Sequence, residues 1–158
     1  MCNNILLENR LNQKNSSTIF ESLILNNQWD ILLRMFKLNI LDINITDCKG
    51  RNALYYAILN NRLEVISTLV QLNINKFVSP NFLAINFAVY LDNTKALLVL
   101  KKCGFDLNMV DEINSSAIIY AYLYKKQKSI EFLLKNGADV NHEDFMGNCA
   151  KDFLSKKE

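Results

Sequence analysis

The chain repeats itself with a period near 33 residues. The segment Ile24–Asn27 recurs 34 residues later as Ile58–Asn61, and Gly104–Asn108 matches Gly137–Asn141 at a spacing of 33. Self-similarity at such a period indicates that one short supersecondary unit, too small to bury its own apolar face, stacks against copies of itself. A chain of 158 residues holds about five such units, with the outer two incomplete.

The units share one internal order. In the second unit a short apolar segment, Ala53–Ala57, precedes a polar turn, Asn60–Arg62, and a second apolar segment, Leu63–Val70. The apolar residues of the second segment fall at i, i+3, i+6 and i+7, which is one face of a helix. The pattern predicts pairs of short antiparallel helices that are unstable alone and become stable by stacking. A residue that tolerates the left-handed conformation of a helix end follows in three units: Asn73, Gly104 and Gly137.

These residues resemble the ankyrin repeat. The stretch Asp47–Asn75 (DCKGRNALYYAILNNRLEVISTLVQLNIN) has the family's loop Asp and Gly as Asp47 and Gly50, its Leu and Ala in the first helix, and its Leu-Glu-Val entry to the second. The fourth unit ends in another family signature, Lys135–Asn141 (KNGADVN). The resemblance covers about residues 18–155. It implies an all-α solenoid of stacked helix-turn-helix repeats, with helix A and helix B in each unit and short loops or hairpins between units.

The resemblance also implies the unit boundaries. Residues 1–17 are expected to form an N-terminal extension or capping segment, with a short helix through Ile5–Leu7 as one alternative. The third unit is two residues short in its loop and has Val78–Asn81 where the family has its loop Asp and Gly. In the first unit Trp29 is expected to fill the core. The repeats are placed near 18–46, 47–77, 78–108, 109–141 and 142–155, the last as a polar cap.

The residues provide no basis for catalysis, a cofactor or a metal site. The sole histidine, His142, is expected in a solvated loop, so a nucleophilic triad has no base. No GxGxxG or GxxxxGK[ST] segment is present to cradle a phosphate. The four cysteines lie 46 to 55 residues apart, without the close pairs that zinc needs. The carboxylate pairs Asp111-Glu112 and Glu143-Asp144 are interpreted as solvated or partner-facing loop residues. We therefore expect a protein that is not an enzyme.

Charge and hydropathy narrow the range of partners. The net charge of +2 gives no electrostatic case for nucleic acid or an anionic membrane. No apolar run reaches 18 residues, and the N-terminal residues lack the pattern of a signal peptide. These features predict a cytoplasmic protein, and they leave delivery into a host cell open. The basic run Lys125–Lys128 is interpreted as a solvated turn, with contact to an acidic partner as the alternative.

The family resemblance implies a binding face. Ankyrin-like stacks present the loop tips and the outer side of helix A along one concave surface. Several of the positions selected this way are apolar or aromatic, which is typical of an interface. The alternatives are that these side chains pack between adjacent A helices, or that the assigned register of the repeat is slipped. The positions selected are Lys49, Arg51, Leu59, Asn60, Phe82, Tyr90, Leu91, Glu112, Ile113, Leu123, Tyr124, Phe145 and Met146. Among them Leu59, Tyr90, Leu91, Leu123 and Tyr124 are expected to form an apolar ladder that Leu25 extends.

These observations favour a protein-protein interaction module. The hypothesis is that it binds another protein through the concave face and masks or regulates it. One alternative is self-association through the same apolar strip as a homodimer. Another is a carrier of a small molecule or cofactor that uses Tyr, Cys103 or His142. The identity of the partner does not follow from the residues.

Overall fold

A computed structural model describes residues 15–155, and these form nine helices and one two-stranded hairpin. The expected alternative of a helix through Ile5–Leu7 lies outside the described residues. Helix α1 covers residues 15–25, so the unit boundary that we placed at residue 18 falls inside it. The other elements are α2 (Trp29–Lys37), α3 (Ala53–Leu59), α4 (Leu63–Gln71), β1 (Phe77–Ser79), β2 (Phe82–Leu83), α5 (Ala84–Tyr90), α6 (Thr94–Lys102), α7 (Ala117–Leu123), α8 (Gln127–Lys135) and α9 (Ala150–Ser155).

The helices alternate between two layers. Helices α1, α3, α5, α7 and α9 are the A helices, and α2, α4, α6 and α8 are the B helices. From α3 to α9 each A helix packs against the A helix of the next unit, and from α2 to α8 each B helix packs against the next B helix. Helices of seven or nine residues are marginal alone in water, so these contacts stabilise them. The stacked helix-turn-helix architecture predicted from the sequence is confirmed.

Small residues allow the A helices to approach one another. Helices α3, α5, α7 and α9 all begin with alanine, and a second alanine lies four residues later in the first three. A methyl side chain leaves little volume between neighbouring helices, while the larger residues beside it fill the core. Leu54 and Ile85 follow two of these alanines and are buried, and Trp29 of α2 is buried as predicted. The fully buried alanines of these A helices are Ala53, Ala57, Ala84, Ala88, Ala117, Ala121 and Ala150.

Backbone direction changes at three left-handed positions in each repeat. One lies in the turn from helix A to helix B, one at the end of helix B, and one at the tip of the following loop. Asparagine or glycine is expected there, because other side chains adopt positive φ at a cost. The sequence prediction of left-handed residues after the B helices is confirmed. In this order the positions are Asn27, Asn61, Asp92 and Lys125, then Asn39, Asn73, Gly104 and Gly137, then Gly50, Asn81, Asn114 and Gly147.

A buried aspartate holds the loop of the second unit. Asp47 Oδ1 accepts hydrogen bonds from the backbone N–H groups of Lys49 (2.8 Å) and Arg51 (2.9 Å). Asp47 Oδ2 accepts from Arg51 Nε (2.6 Å) and from the Tyr56 hydroxyl (2.5 Å). One carboxylate therefore closes the loop and ties it to helix α3, which begins two residues after Arg51.

The fourth and fifth units repeat this device. Asp111 Oδ1 accepts from the backbone N–H groups two and four residues later, and its Oδ2 accepts from the Tyr120 hydroxyl at 2.6 Å. Asp144 Oδ1 accepts from the N–H groups at the same two offsets, and both of its oxygens accept from Asn148 Nδ2. The recurring aspartates therefore fix the geometry of these loops. They are also part of the sequence pattern that resembles the ankyrin repeat.

The third unit closes its loop without a carboxylate. Val78 occupies the aspartate position and is fully buried. Strands β1 and β2 pair antiparallel around it with one irregularity in register. Asn52 of the second unit reaches across: its backbone N–H donates to the Val78 carbonyl (3.0 Å) and its side chain donates to the Phe77 carbonyl (2.9 Å). The unit that departs most from the family pattern thus forms the one regular strand pair within residues 15–155.

Candidate partner-binding face

The ends of the A helices expose a row of large apolar side chains. We call Leu25, Leu59, Tyr90, Leu123 and Tyr124 the apolar ladder; their exposed fractions lie between 42% and 83%. They come from four successive units, at the last residue of an A helix or directly after it. These five side chains are therefore not buried between adjacent A helices, which was the alternative expectation. Leu91, which the sequence also placed in the row, is half-buried.

Aromatic rings connect the A helices beside the ladder. Tyr55 of α3 stacks on Phe87 of α5 at 4.4 Å between ring centroids, and Tyr90 meets Tyr124 edge to face at 5.5 Å. Separations of this size are those at which aromatic pairs attract beyond their buried area. The contacts run without interruption from the first unit to the fourth. The aromatic chain consists of Phe20, Tyr56, Tyr55, Phe87, Phe82, Tyr90, Tyr124 and Tyr120.

Sequence reasoning found only part of this aromatic chain. Phe82, Tyr90 and Tyr124 were selected as partner-facing, and the structure places their rings in contact. Other members were missed although the sequence carried a signal for them. An aromatic residue occupies the same helix-A position in four successive units: Tyr56, Phe87, Tyr120 and Phe153. This recurrence marks an aromatic position in helix A, but the rings contact aromatic residues at other positions rather than their own copies: Phe87 contacts Tyr55 and Phe82, and Tyr120 contacts Tyr124.

Arg51 was predicted to face a partner, but most of its positive charge is balanced within its own loop. Its guanidinium forms an ion pair with Asp47 and lies over the rings of Tyr55 (5.2 Å) and Tyr56 (5.1 Å). Burial by itself raises the pKa of Asp47, but the hydrogen bonds from Tyr56 and Arg51 outweigh burial and lower it. Asp47 is therefore ionised at neutral pH and balances the charge of Arg51, while Lys49 remains exposed beside them.

The loop tips at the other end of the stack are apolar. Phe145 and Met146 are 77% and 76% exposed, and Ile113 in the preceding loop is also exposed. The Phe145 backbone N–H donates to the Ile113 carbonyl at 3.1 Å, so the two tips are joined. Glu112 lies exposed next to Ile113. The tips thus form a second apolar group that the sequence also selected.

The thirteen selected residues do not form one cluster. The ladder members lie at equivalent ends of successive A helices, where Phe82, Tyr90 and Tyr124 are in contact, and Asn60 lies exposed directly after Leu59. Lys49 belongs to the second loop, three loops away from Phe145 in the fifth. The selected residues form a long strip that extends over several successive repeats. A partner that covered it would need an extended element of its own.

His142 is half-buried, so its interpretation as a solvated loop residue is wrong. Its Nε2 lies 2.7 Å from the carbonyl oxygen of Asn114, which can only accept, so this nitrogen carries the proton. The contact ties the fifth loop to the fourth. Within residues 15–155 no three His, Cys, Asp or Glu side chains are grouped to hold a metal ion. None of the helices described there is long and apolar enough to span a bilayer.

The family match and the relatives of this chain agree with the observed fold. A family model described as ankyrin repeats, in three copies, matches residues 2–111. The vaccinia virus (strain Western Reserve) protein named interferon antagonist OPG040 is 28% identical over 89 residues, which cover 56% of this chain and 31% of that protein. The monkeypox virus protein named interferon antagonist OPG039 is 27% identical over the same length and shares. The chain thus spans about a third of the length of these relatives.

Ankyrin repeats are protein-protein interaction modules, and the features of this chain fit that class. Helix pairs stack in one direction, left-handed positions recur three times in each repeat, and aspartates close the loops of three units. The family model covers more than half of the sequence. The fold and the match together show that this chain belongs to the ankyrin-repeat family.

Proposed function

We propose that the protein is a non-enzymatic binding module that occupies a partner protein through the A-helix side and thereby masks it. The apolar ladder is the observation that carries this proposal. Burying one large apolar side chain contributes roughly 1.5–3 kcal/mol, and the five ladder members leave much of that contribution unused in the chain alone. A contiguous exposed apolar row on a folded protein is typical of an interface.

Packing behind the ladder favours tight binding. Tyr90 and Tyr124 contact each other, and Tyr124 also stacks on Tyr120 at 5.6 Å. Side chains that are already held in place lose little rotational freedom when a partner covers them. Tyrosine also offers a large contact area with few rotatable bonds, which is why it is enriched at the centres of interfaces. The aromatic chain therefore supports the face as a prearranged platform.

The relatives suggest which kind of partner to look for. Both are viral proteins named as interferon antagonists. A module without a recognisable catalytic group can antagonise a signalling protein by covering the surface that the protein needs. We therefore propose a host signalling protein as the partner and the host cytoplasm as the place of action.

Two exposed ladder residues provide the test. Leu59→Glu combined with Leu123→Glu places charge on the ladder without touching the aromatic chain, because neither residue belongs to it. The tagged protein and the variant are used to capture partners from a host-cell lysate, and affinity for the captured partner is then measured with purified proteins. We expect about a thousandfold loss, since two central contacts of an interface are each worth ~2 kcal/mol and every 1.4 kcal/mol is about tenfold in affinity.

The B helices supply a matched control. Leu98 and Leu134 are exposed to a similar extent, at 42% and 38%, but lie on helices α6 and α8. Leu98→Glu combined with Leu134→Glu should therefore leave partner affinity unchanged. Circular dichroism checks that both double variants keep the helicity of the wild type. Equal binding by the wild type and a folded Leu59/Leu123 variant would refute the proposed face.

Self-association is the second candidate, because the same ladder could cover itself in a homodimer. Sedimentation at micromolar concentration separates the two cases. A dimer that the Leu59/Leu123 variant converts to an 18.2 kDa monomer would support it. A wild-type monomer would leave the ladder free for a different protein.

A further inference from the structure

We propose that the segment bound at the apolar ladder is an acidic peptide with apolar anchors, an inference that rests on the binding role proposed above. The first observation is a change of charge along the stack. The second residue of each B helix is Asp30 in α2 and Glu64 in α4, but Lys95 in α6 and Lys128 in α8. Equivalent positions of one repeat are thus acidic in the first two units and basic in the next two.

The two lysines oppose the local preference of a helix. The first turn of a helix carries partial positive charge, so acidic side chains are stabilising there and cations are not. Helices α2 and α4 follow this rule, whereas α6 and α8 have no acidic residue in the first turn. Charges placed against a local preference in two neighbouring units indicate a role other than helix stability.

Lys125 departs from local preference as well. It adopts a φ of +55° in the turn between α7 and α8, where the equivalent residues are Asn27, Asn61 and Asp92. A left-handed backbone is costly for a long side chain, and strain that persists in a structure is most often found at functional sites. The next residue, Lys126, places its ammonium 5.5 Å from the ring centre of Tyr90 in the ladder. We call Lys95, Lys125, Lys126 and Lys128 the cationic edge.

The acids near this edge are already engaged. Asp92 Oδ1 accepts hydrogen bonds from the N–H (2.9 Å) and the hydroxyl (2.7 Å) of Ser129. Glu131 accepts from Gln127 Nε2 at 2.8 Å. In the part of the chain that the structure describes, the ion pair found joins Arg51 to Asp47, and none involves the cationic edge. These hydrogen bonds fix the two carboxylates but leave their charges in place, so four lysines against two acids give the edge a net positive charge that a binding partner can use.

The cationic edge and the ladder meet in one place. An open depression of about 460 Å³ is lined by Leu59 and Leu91 together with Lys95 and Lys128, and by Asp92, whose carboxylate is turned to Ser129. A partner segment that places an apolar side chain there brings its neighbouring residues within reach of the two ammonium groups. Carboxylates at those neighbours would complement the edge and orient the segment. A polyanion such as nucleic acid would use the lysines but would gain nothing from Leu59, Leu91 and the ladder.

Selection from a random library tests the proposal without assuming a partner. Short random peptides displayed on phage are selected on the purified full chain, and the enriched sequences are synthesised with a fluorescent label. Their affinities are measured by anisotropy at low and high salt. We expect enriched peptides with net negative charge and at least one aromatic or large aliphatic residue, and with binding that weakens as salt rises.

Two charge-reversal variants of the same size provide the decisive comparison. Lys95→Glu with Lys128→Glu should weaken the acidic peptides about tenfold or more while keeping or raising the melting temperature, because acids suit the first turn. Lys102→Glu with Lys135→Glu changes the net charge equally at the opposite ends of the same two helices. This control should bind as the wild type does, to within about twofold.

The outcomes separate this inference from the binding role. Enriched peptides that are neutral or basic, and that bind less well to the Leu59→Glu/Leu123→Glu variant, overturn the acidic segment and leave the face intact. Equal loss in both lysine variants also overturns it, since the effect would then be one of net charge alone. A thymidine oligonucleotide that competes as well as the peptides overturns it in favour of a polyanion. Failure to select any peptide that depends on Leu59 and Leu123 overturns the acidic segment, and partner capture with the Leu59→Glu/Leu123→Glu variant then decides the binding role by itself.

Discussion

The loops of the second and third units close the same turn by different chemistry. In the second, the buried carboxylate of Asp47 gathers two backbone N–H groups, a guanidinium and a hydroxyl. In the third, Val78 buries its methyl groups at the same position and a strand pair carries the backbone bonds. In both units the side chain at this position is buried and the backbone of the loop is hydrogen-bonded. A carboxylate accepts those hydrogen bonds in the second unit, whereas a strand pair around a valine provides them in the third.

The two loops also differ in where their support comes from. Lys49, Arg51 and Tyr56, the partners of Asp47, all belong to the unit that the loop opens. The hairpin around Val78 instead takes hydrogen bonds from Asn52, which lies in the preceding unit. The carboxylate at the centre of the second loop is thus bound within its own unit, although the Cys48 N–H of that loop also donates to Glu21 Oε1 of the first unit (3.0 Å). The backbone of the third loop is held by its neighbour. Damage to the second unit should therefore spread to the third.

The largest expected effect comes from removing the carboxylate. Asp47→Ala leaves the guanidinium of Arg51, a hydroxyl and two N–H groups without their acceptor, so we expect a loss of about 3–5 kcal/mol in the free energy of unfolding. Val78→Ala removes two buried methyl groups, which should cost ~1–3 kcal/mol. Urea denaturation at neutral pH measures both. A smaller loss for Asp47→Ala than for Val78→Ala would reverse the ranking.

Acid separates the two mechanisms further. The pKa of Asp47 is lowered in the folded protein, so its contribution is present above the unfolded-state value of about 4 and is lost as the pH falls through the lower folded-state value. The penalty for Asp47→Ala should therefore shrink between neutral pH and pH ~3. The penalty for Val78→Ala should stay the same, because valine does not titrate.

A glycine at the loop tip tests the contact between the two loops. Gly50 has a φ of +73°, and a Cβ there would lie 2.9 Å from the ring carbons of Pro80 in the third loop. We expect Gly50→Ala to cost about 2–3 kcal/mol, from left-handed strain and overpacking together. Gly147 has a φ of +80°, and a Cβ there would meet Glu143 Oε1 at 3.8 Å, an ordinary van der Waals contact, so Gly147→Ala should cost only the strain, ~1–2 kcal/mol.

Pro80→Ala provides the control for that difference. In a Pro80→Ala background the clash is relieved, and Gly50→Ala should then cost about as much as Gly147→Ala. Thermal denaturation of the four proteins completes the cycle. An unchanged penalty for Gly50→Ala in that background would show that the two loops do not press on each other.

The smallest expected effect concerns the tyrosine hydroxyl. Tyr56→Phe removes one hydrogen bond to a carboxylate and should cost about 1–2 kcal/mol. Phe87 holds the equivalent position in the third unit, opposite Val78, so Phe87→Tyr should also destabilise by burying an unpaired hydroxyl. Combining Phe87→Tyr with Val78→Asp tests a transplant of the polar device. A favourable coupling energy in that double-mutant cycle would show that the two loop types are interchangeable.

Periodicity in the sequence was enough to predict the helices and their ends. Leu63, Ile66 and Leu69 recur at helical spacing, and the structure has helix α4 over this segment with Ile66 and Leu69 buried. Left-handed residues were expected after the B helices because Asn and Gly recur there. Position in the repeat also predicted the exposure of five of the six expected ladder residues, whereas Leu91 is half-buried. Features that recur in every repeat can therefore be predicted from a single sequence.

Features that depend on one pair of side chains were not predictable in the same way. The pairing of Arg51 with Asp47 depends on the rotamer of Arg51, which directs its guanidinium into its own loop instead of toward a partner. The strand pair around Val78 forms where the family's loop residues are missing, so the resemblance carried no information about it. The stacking of Tyr55 on Phe87 joins two different helix positions in adjacent units, and no single period connects them. The unit boundaries and the partner-binding role of the selected residues stay predictions.

The twelve left-handed positions have a consequence for the unfolded chain. All four glycines of the protein occupy such positions, and six of the others carry asparagine. Glycine gives an unfolded chain more backbone freedom to lose on folding than asparagine does. An array that turns on asparagine at half of these positions therefore begins folding from a less disordered state than one that turns on glycine at all of them. Part of the stability of this stack thus resides in the denatured ensemble, where no contact of the native structure would reveal it.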